Sequence, residues 1–395
     1  MPGLGIPVAI YLDHAASAPV RTAALEAFVE ASTQGGNPSS THRDGQAARA
    51  LLDGARIRVA ASLGCDPIEV VFTSGGTESV NLGITGLFRA RRESHGARVR
   101  ILATAAEHHA TLDTLEWLEK HEGAVIDWIP LNAQACVDLE ALEVALAREP
   151  ETIALVASLW ANNEVGTIQP VAQISALAEA AGVPLHIDAV AVWGHEIIDT
   201  RQLPGLAALS VSGHKVGSVP GVGALFVSRT AQVEPLIHGG GQQRGLRSGT
   251  QDVPAAVSMA AAIDEALAQR ASEEERLSAL RDNCVQRILS SVPGSVLSGA
   301  RENRLSNNVN IRFEGAKSAD MLYLLDEAGI SVSAGSACQA GVERASHVLL
   351  AMGLDETAAS SPLRITLGHT TTAADVDALV AALPAVVERA RTASA

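Results

Sequence analysis

The chain has 395 residues, enough for two or three domains, and 47% of them are apolar, enough for a full-sized core. Aromatic residues make up only 3%, so Ala, Leu, Val and Ile must build that core. The formal charge of −15 excludes the basic face that a nucleic acid or an anionic membrane surface would need.

The chain opens on an apolar stretch, Met1–Leu12, with no basic residue ahead of it and with Asp13 and His14 cutting it off. That is not the pattern of an export signal. No uncharged apolar run reaches the length of a membrane span. Cys65, Cys136, Cys284 and Cys338 stand far apart and form no Cys-x-x-Cys pair. This excludes the usual zinc spacings and points to a reducing, cytoplasmic setting.

From about residue 67 to 227 the pattern alternates strands and helices. It predicts strands over Glu69–Phe72, Val99–Ala103, Val125–Ile129, Ile153–Ser158, Pro184–Ile187, Ala208–Val211 and Ala224–Val227. Helices are predicted over Glu78–Arg91, Thr111–His121, Leu139–Arg148 and Val171–Ala181. Such alternation reads as βαβ units around a mostly parallel seven-stranded sheet, an α/β fold. After residue 250 a long helix is predicted over Val253–Leu289, then strands Asn307–Arg312 and Leu363–Leu367 among helices Ser318–Glu327, Ala345–Met352 and Ala373–Arg391. The expected division is a large domain over 21–252 and a smaller α+β domain from 1–20 with 253–395.

Five segments carry chemistry, in chain order. Phe72-Thr73-Ser74-Gly75-Gly76-Thr77-Glu78 reads as strand, Gly-rich turn and helix start, where free N–H groups hold an anion; a plain capped turn is the alternative. Glu107-His108-His109 follows a strand, where a His can stack on a flat ring and move protons. Adjacent histidines seldom chelate one ion and no carboxylate or Cys cluster joins them, so no metal site is expected. Asn162-Asn163-Glu164 follows another strand, with amide donors for an oxygen, or merely a turn. His238–Thr250 is Gly-rich and basic, suited to a phosphate, but lacks the spacing of a dinucleotide or P-loop motif. Ser333–Gly341 sets Cys338 among small residues, which make a poor core, so this thiol is expected to be exposed; the other three are expected to be buried and inert.

Asp188 and Ser212-Gly213-His214-Lys215 fall just past predicted strand ends, where open α/β sheets bind ligands. A lysine of lowered pKa can form a Schiff base with an aldehyde. Pyridoxal phosphate is such an aldehyde, and its ring nitrogen needs a carboxylate partner. Lys215 and Asp188 have those two chemistries, although a surface lysine and a turn aspartate are the ordinary alternatives.

Together with Tyr11-Leu12-Asp13-His14-Ala15-Ala16, Gly36-Asn37-Pro38-Ser39-Ser40, Ser346-His347 and Leu363–Gly368, these segments resemble the cysteine desulfurases. Those are fold-type I pyridoxal-phosphate enzymes of the class V aminotransferase superfamily; the match is to the group with a long cysteine loop. The resemblance spans nearly the whole chain in order. It implies that Lys215 holds the cofactor and later acts as a base, Asp188 pairs with its ring nitrogen, and His108 stacks on the ring and aids proton transfer. Gly76, Thr77, Ser212 and His214 would bind the phosphate, joined by Thr250 from the second subunit of a homodimer. Asn163 would serve cofactor and substrate; Arg364 would hold the substrate carboxylate, with Asn37 nearby. Cys338 would take sulfur from L-cysteine as a persulfide, leaving L-alanine, and pass it to an acceptor or iron–sulfur scaffold protein. The alternatives are a C–S lyase or selenocysteine lyase on the same cofactor, or a non-catalytic sulfur carrier on the same fold.

Three features depart from the family. Ala191 stands where the family has a Gln that hydrogen-bonds the cofactor's phenolic oxygen, a loss of about 1–3 kcal/mol unless His214, a water or a closure by Trp193 replaces it. Val216-Gly217-Ser218-Val219-Pro220 lacks the usual aromatic or Gly-Pro. The chain also ends soon after its last helix, which leaves a scaffold contact through a longer tail open.

Overall fold

The computed structural model describes residues 10–94, 96–335 and 344–394. The first third runs β1 (Ile10–Tyr11), α1 (Thr22–Ser32), α2 (Arg43–Leu63), β2 (Val70–Thr73), α3 (Gly76–Ser94), β3 (Arg100–Ala103), α4 (His109–Glu122) and β4 (Val125–Trp128). Then come α5 (Leu139–Ala147), β5 (Ile153–Leu159), α6 (Val171–Ala180), β6 (Leu185–Asp188), β7 (Leu206–Ser212) and β8 (Gly223–Val227). The remainder is α7 (Val253–Ser291), β9 (Ser295–Leu297), β10 (Asn308–Phe313), α8 (Ser318–Glu327), β11 (Ile330–Ser331), α9 (His347–Ala351), α10 (Glu356–Ala359), β12 (Pro362–Thr366) and α11 (Ala373–Ser394).

The seven strands expected between 67 and 227 form one sheet in the order β2-β8-β7-β6-β5-β3-β4. β8 is antiparallel to both its neighbours; the other pairs are parallel. Every residue of β5, β6 and β7 is buried, because helices cover both faces. β5 is correspondingly apolar except for Ser158, whereas β6 and the end of β7 bury His186, Asp188, Ser210 and Ser212 among their apolar residues.

The sequence pattern did not predict α1 and α2, and both pack on α7. α2 buries Ala48, Leu52, Ala55, Val59 and Leu63 at helical spacing, but small and polar residues blur the stripe. The His42 side chain accepts from the Gly45 N–H at its start, and Gly64 ends it at φ 64°.

α7 serves two cores. Val253 to Ala266 pack in the cluster beneath the large sheet. Leu277, Cys284 and Ile288 join a second cluster with Leu12 and residues of β10, α8, β12 and α11. Leu12 reaches it because β1 pairs in parallel with β11 and Asp13 bridges to Thr366. No helix among the described residues is long and apolar enough to cross a membrane.

Candidate active site

At the carboxyl ends of the large sheet's parallel strands, between the two cores, lies a cavity of about 370 Å³. Asp188 is the last residue of β6 and Ser212 the last of β7. A single 3₁₀ turn after β7, Gly213–Lys215, carries His214 and Lys215 into the same space. From the facing core, Arg364 arrives on β12.

At the start of α3 and on the neighbouring β8, Gly76 and Gly223 have no room for a side chain. A Cβ on Gly76 would sit 2.9 Å from Val190 Cγ2 and 3.2 Å from Ser212 Cβ, and one on Gly223 would meet the Gly75 backbone at 2.6 Å. The Gly76 N–H instead donates to Ser212 Oγ at 3.2 Å. An oxyanion above this cradle would find that N–H, the Ser212 hydroxyl and the start of a 19-residue helix. Thr77 and His214 line the same end. The basic segment predicted to bind phosphate touches the turn indirectly: Arg247 pairs with Glu78 at 2.9 Å, and Glu78 accepts from the Ser74 N–H.

Asp188 is 7% exposed, and its Oδ1 accepts from the Val190 N–H at 2.9 Å. Burial pushes its carboxyl up to about 6, against the pull of that N–H and of Lys215. Lys215 Nζ donates to the carbonyls of Ala15 and Ala16. His108 caps α4, its Nδ1 accepting from the Ala110 N–H at 3.0 Å. Burial, then the charge of Lys215, brings its ring down to about 4, so it is neutral with its proton on Nε2. His214 is likewise brought down to about 4 by burial and Lys215.

Arg364 is 3% exposed. Nη2 pairs with Asp13 Oδ1 at 2.9 Å, and Nη1 approaches the Gly335 and Asn163 carbonyls at 3.4 Å. Its Nε is buried with no partner. A guanidinium with an unused donor beside a cavity suits a carboxylate. The whole donor set suits a flat anionic cofactor with a basic ring nitrogen and an aldehyde: a cradle closed to Cβ atoms, a poorly solvated carboxylate, a lysine and a neutral imidazole.

Gly76, Thr77, His108, Asn163, Asp188, Ser212, His214, Lys215 and Arg364 thus meet at one cavity. Two expected residues do not line it. Asn37 is exposed, its Oδ1 taken by the Ser39 N–H, and Thr250 is exposed. Cys338 lies outside the described residues. Of the three cysteines expected to be buried, Cys284 is, with burial pushing its thiol to about 12. Cys65 and Cys136 are only half-buried because loops cover them incompletely; burial still raises both thiols. The adjacent histidines diverge, with His109 Nδ1 placed 3.5 Å from Asp113 Oδ1.

Ala191 lines the cavity, but Trp193 does not close it: that indole is 1% exposed and donates to Ser62 Oγ at 3.0 Å. His14, His195, Asn307 and Asn308 also line the cavity and had no role assigned from sequence. His14 stood inside a quoted motif; the others carried no local signal. Glu107, 1% exposed, was quoted only as a neighbour of His108. Burial and then the Asp188 charge push it to about 8, although Thr104 donates to its Oε1 at 2.9 Å.

Residues 10–379 match the model of the family described as aminotransferase class-V. Over 385 residues the chain is 47% identical to the IscS-like cysteine desulfurase of Mycobacterium tuberculosis, covering 97% of this chain and 98% of that protein. It is 37% identical to the cysteine desulfurase IscS of Methanosarcina thermophila, covering 98% and 94%. Among solved structures, a NifS-like protein from Rickettsia africae superposes with a TM-score of 0.86 at 30% identity over 96% of this chain and 99% of that one. The structure described as SspA in complex with cysteine gives 0.77 at 33% identity, over 90% and 98%.

Proposed function

This chain belongs to the aminotransferase class-V family, and from that premise we propose that it is a pyridoxal-phosphate-dependent cysteine desulfurase, converting L-cysteine to L-alanine and receiving the sulfur on Cys338 as a persulfide. The observation that carries this reading is the meeting of Asp188, Lys215, His108 and Arg364 at one cavity. The two sequence relatives, 47% and 37% identical over nearly the whole chain, are named cysteine desulfurases.

Pyridoxal phosphate supplies, when bound, the electron sink that allows the C–S bond of L-cysteine to break. Lys215 is the residue to hold its aldehyde carbon, and once released the amine serves as a base. Asp188 keeps the ring nitrogen protonated, since a cation seated against a buried carboxylate lowers that carboxylate's pKa. The Gly76 N–H, Thr77, Ser212 and His214 would hold the phosphate. His108 would stack on the ring and, neutral, offer its Nε2–H as a hydrogen-bond donor. Arg364 and Asn163 orient the substrate carboxylate. The Cys338 thiolate would form an S–S bond to the substrate sulfur as the C–S bond breaks; the electron pair of that bond stays with carbon, which takes up a proton to leave alanine.

We extend the reading to a homodimer in which Thr250 of one subunit completes the phosphate site of its partner; the exposure of Thr250 leaves it available for that role. The dispersed cysteines favour the cytoplasm, and the persulfide calls for an acceptor, such as an iron–sulfur scaffold protein. Residues 21–252 are read as the large domain and 1–20 with 253–395 as the smaller one.

Incubation with L-cysteine followed by mass spectrometry tests the function. The peptide containing Cys338 should gain one sulfur atom while alanine accumulates. Pyruvate and ammonia with an unmodified Cys338 would point instead to a C–S lyase. An absence of cofactor absorbance would point to the non-catalytic carrier.

A further inference from the structure

The strands that deliver Asp188 and Ser212 to the active site begin at the opposite edge of the sheet. β7 is seven residues long, so roughly 20 Å of strand separates its two ends. At the starting ends lies a second cavity, of about 650 Å³. Leu203, Leu206 and Phe226, all buried, line it together with three arginines, Arg91, Arg98 and Arg201.

One of these cations has a carboxylate: Arg201 Nε pairs with Asp199 Oδ1 at 3.1 Å. Arg91, in the last turn of α3, donates from Nη2 to the Gly182 carbonyl at 3.2 Å. Its Nε is buried with no partner, and so is the Nε of Arg98, two residues before β3. Among the described residues neither forms an ion pair with a carboxylate. Two carboxylates line the cavity, Glu69 and Glu179. Glu69 accepts from the Asp66 N–H at 3.0 Å and the Arg229 N–H at 3.2 Å, and Glu179 is exposed. Burial, then the charge of Arg98, holds the Arg91 guanidinium below its ordinary pKa. The C-terminal end of α3 attracts a cation and accounts for Arg91. It does not account for Arg98, which lies beyond the helix.

Two neighbouring guanidinium groups with unmet, water-shielded donors repel each other and lack hydrogen bonds, and an anion between them removes both costs. We propose that Arg91 and Arg98 form a binding site for the phosphate group of a small molecule with an apolar body, at the end of the sheet remote from the catalytic cavity. A carboxylate has two oxygens, which one guanidinium fork occupies. A phosphate monoester presents three oxygens and up to two charges, enough for both forks. Leu203, Leu206 and Phe226 would take the rest of the ligand, in a cavity within the range of small-molecule pockets, about 300–1,000 Å³. The site is independent of the desulfurase reading.

Titration calorimetry with phenyl phosphate and with inorganic phosphate tests it. The protein is first loaded with pyridoxal phosphate, so that the catalytic cavity is filled, and freed of the excess by gel filtration. The parent should bind one equivalent of phenyl phosphate per chain, more tightly than inorganic phosphate. Arg91→Gln and Arg98→Gln should each weaken that binding tenfold or more. Arg98→Lys, which keeps the charge and loses the fork, should fall between parent and Arg98→Gln. Arg92 stands next to Arg91 but does not line the cavity, and its Nη1 donates to the Glu122 carbonyl. Arg92→Gln should therefore bind like the parent. A parent without saturable binding overturns the site. So does an Arg92→Gln variant that loses as much affinity as Arg98→Gln, because diffuse surface charge would then explain the binding. If Arg91→Gln fails to fold, the two Arg98 variants decide the matter, since Arg98 has no hydrogen bond within the protein to lose.

Discussion

Arg364 Nη2 and Asp13 Oδ1 form an ion pair at 2.9 Å with the guanidinium almost wholly buried. The pair ties the last strand to the residue after β1 and Leu12, and it fixes a guanidinium that lines the cavity. Removing one partner of a buried pair typically costs about 3–5 kcal/mol, so the informative substitution keeps the charge. Arg364→Lys retains a cation for Asp13 but loses the planar fork. The KM for L-cysteine should rise roughly tenfold or more, with the cofactor spectrum unchanged. An unchanged KM would remove Arg364 from carboxylate recognition.

Cys338→Ser should bind cofactor and substrate like the parent, since neither needs the thiol. Alanine formation and persulfide should both be lost. Near-normal turnover in the variant, read by product analysis, would hand the chain to the C–S lyases.

The buried acids and histidines set how stability varies with pH in the protein without cofactor. His108, His186, His195, His214 and His369 are all brought down to about 3 or 4, chiefly by burial. The unfolded chain binds those protons below about 6.5 and the folded one does not, so stability rises with pH up to there. Asp188 and Glu107 oppose this, being raised to about 6 and about 8, but they are outnumbered. Above about 6.5 only Glu107 remains among these groups. The folded state keeps its proton and the unfolded state does not, so stability should fall by about 2 kcal/mol from pH 6.5 to 8. Urea denaturation across that range should show the decline, and Glu107→Gln should flatten it. A decline that survives the substitution assigns it to another group.

Thr250→Ala should leave the subunit folded and weaken cofactor retention by roughly 1.5–3 kcal/mol, a hydrogen bond to a charged group. Mixed dimers of Thr250→Ala and Lys215→Ala chains should each contain one site with both defects and one with neither, and so retain cofactor at one site of the two. A fully active monomer at assay concentration is incompatible with a shared site.

Much of this protein was legible in one dimension. Apolar runs such as Ile153–Ala157 announce strands buried on both faces, and the connections between them require a parallel sheet. Because such sheets bind ligands at their carboxyl ends, Asp188 and Lys215 marked the site by position alone. Periodicity records which face of an element is buried, not what it is buried against. The pairing of β1 with β11, each two residues long, has no local signal, and it brings Asp13 to Arg364. The same limit hid the second half of the cavity. Asn37 and Thr250 sit in motifs as suggestive as those of Asn163 and Ser212, yet neither lines it. Glu164 reads as a turn residue until the fold sets Ser346 against its carboxylate. Contacts between loops far apart in sequence depend on how whole elements pack, and that packing is decided only when the chain closes around its cores.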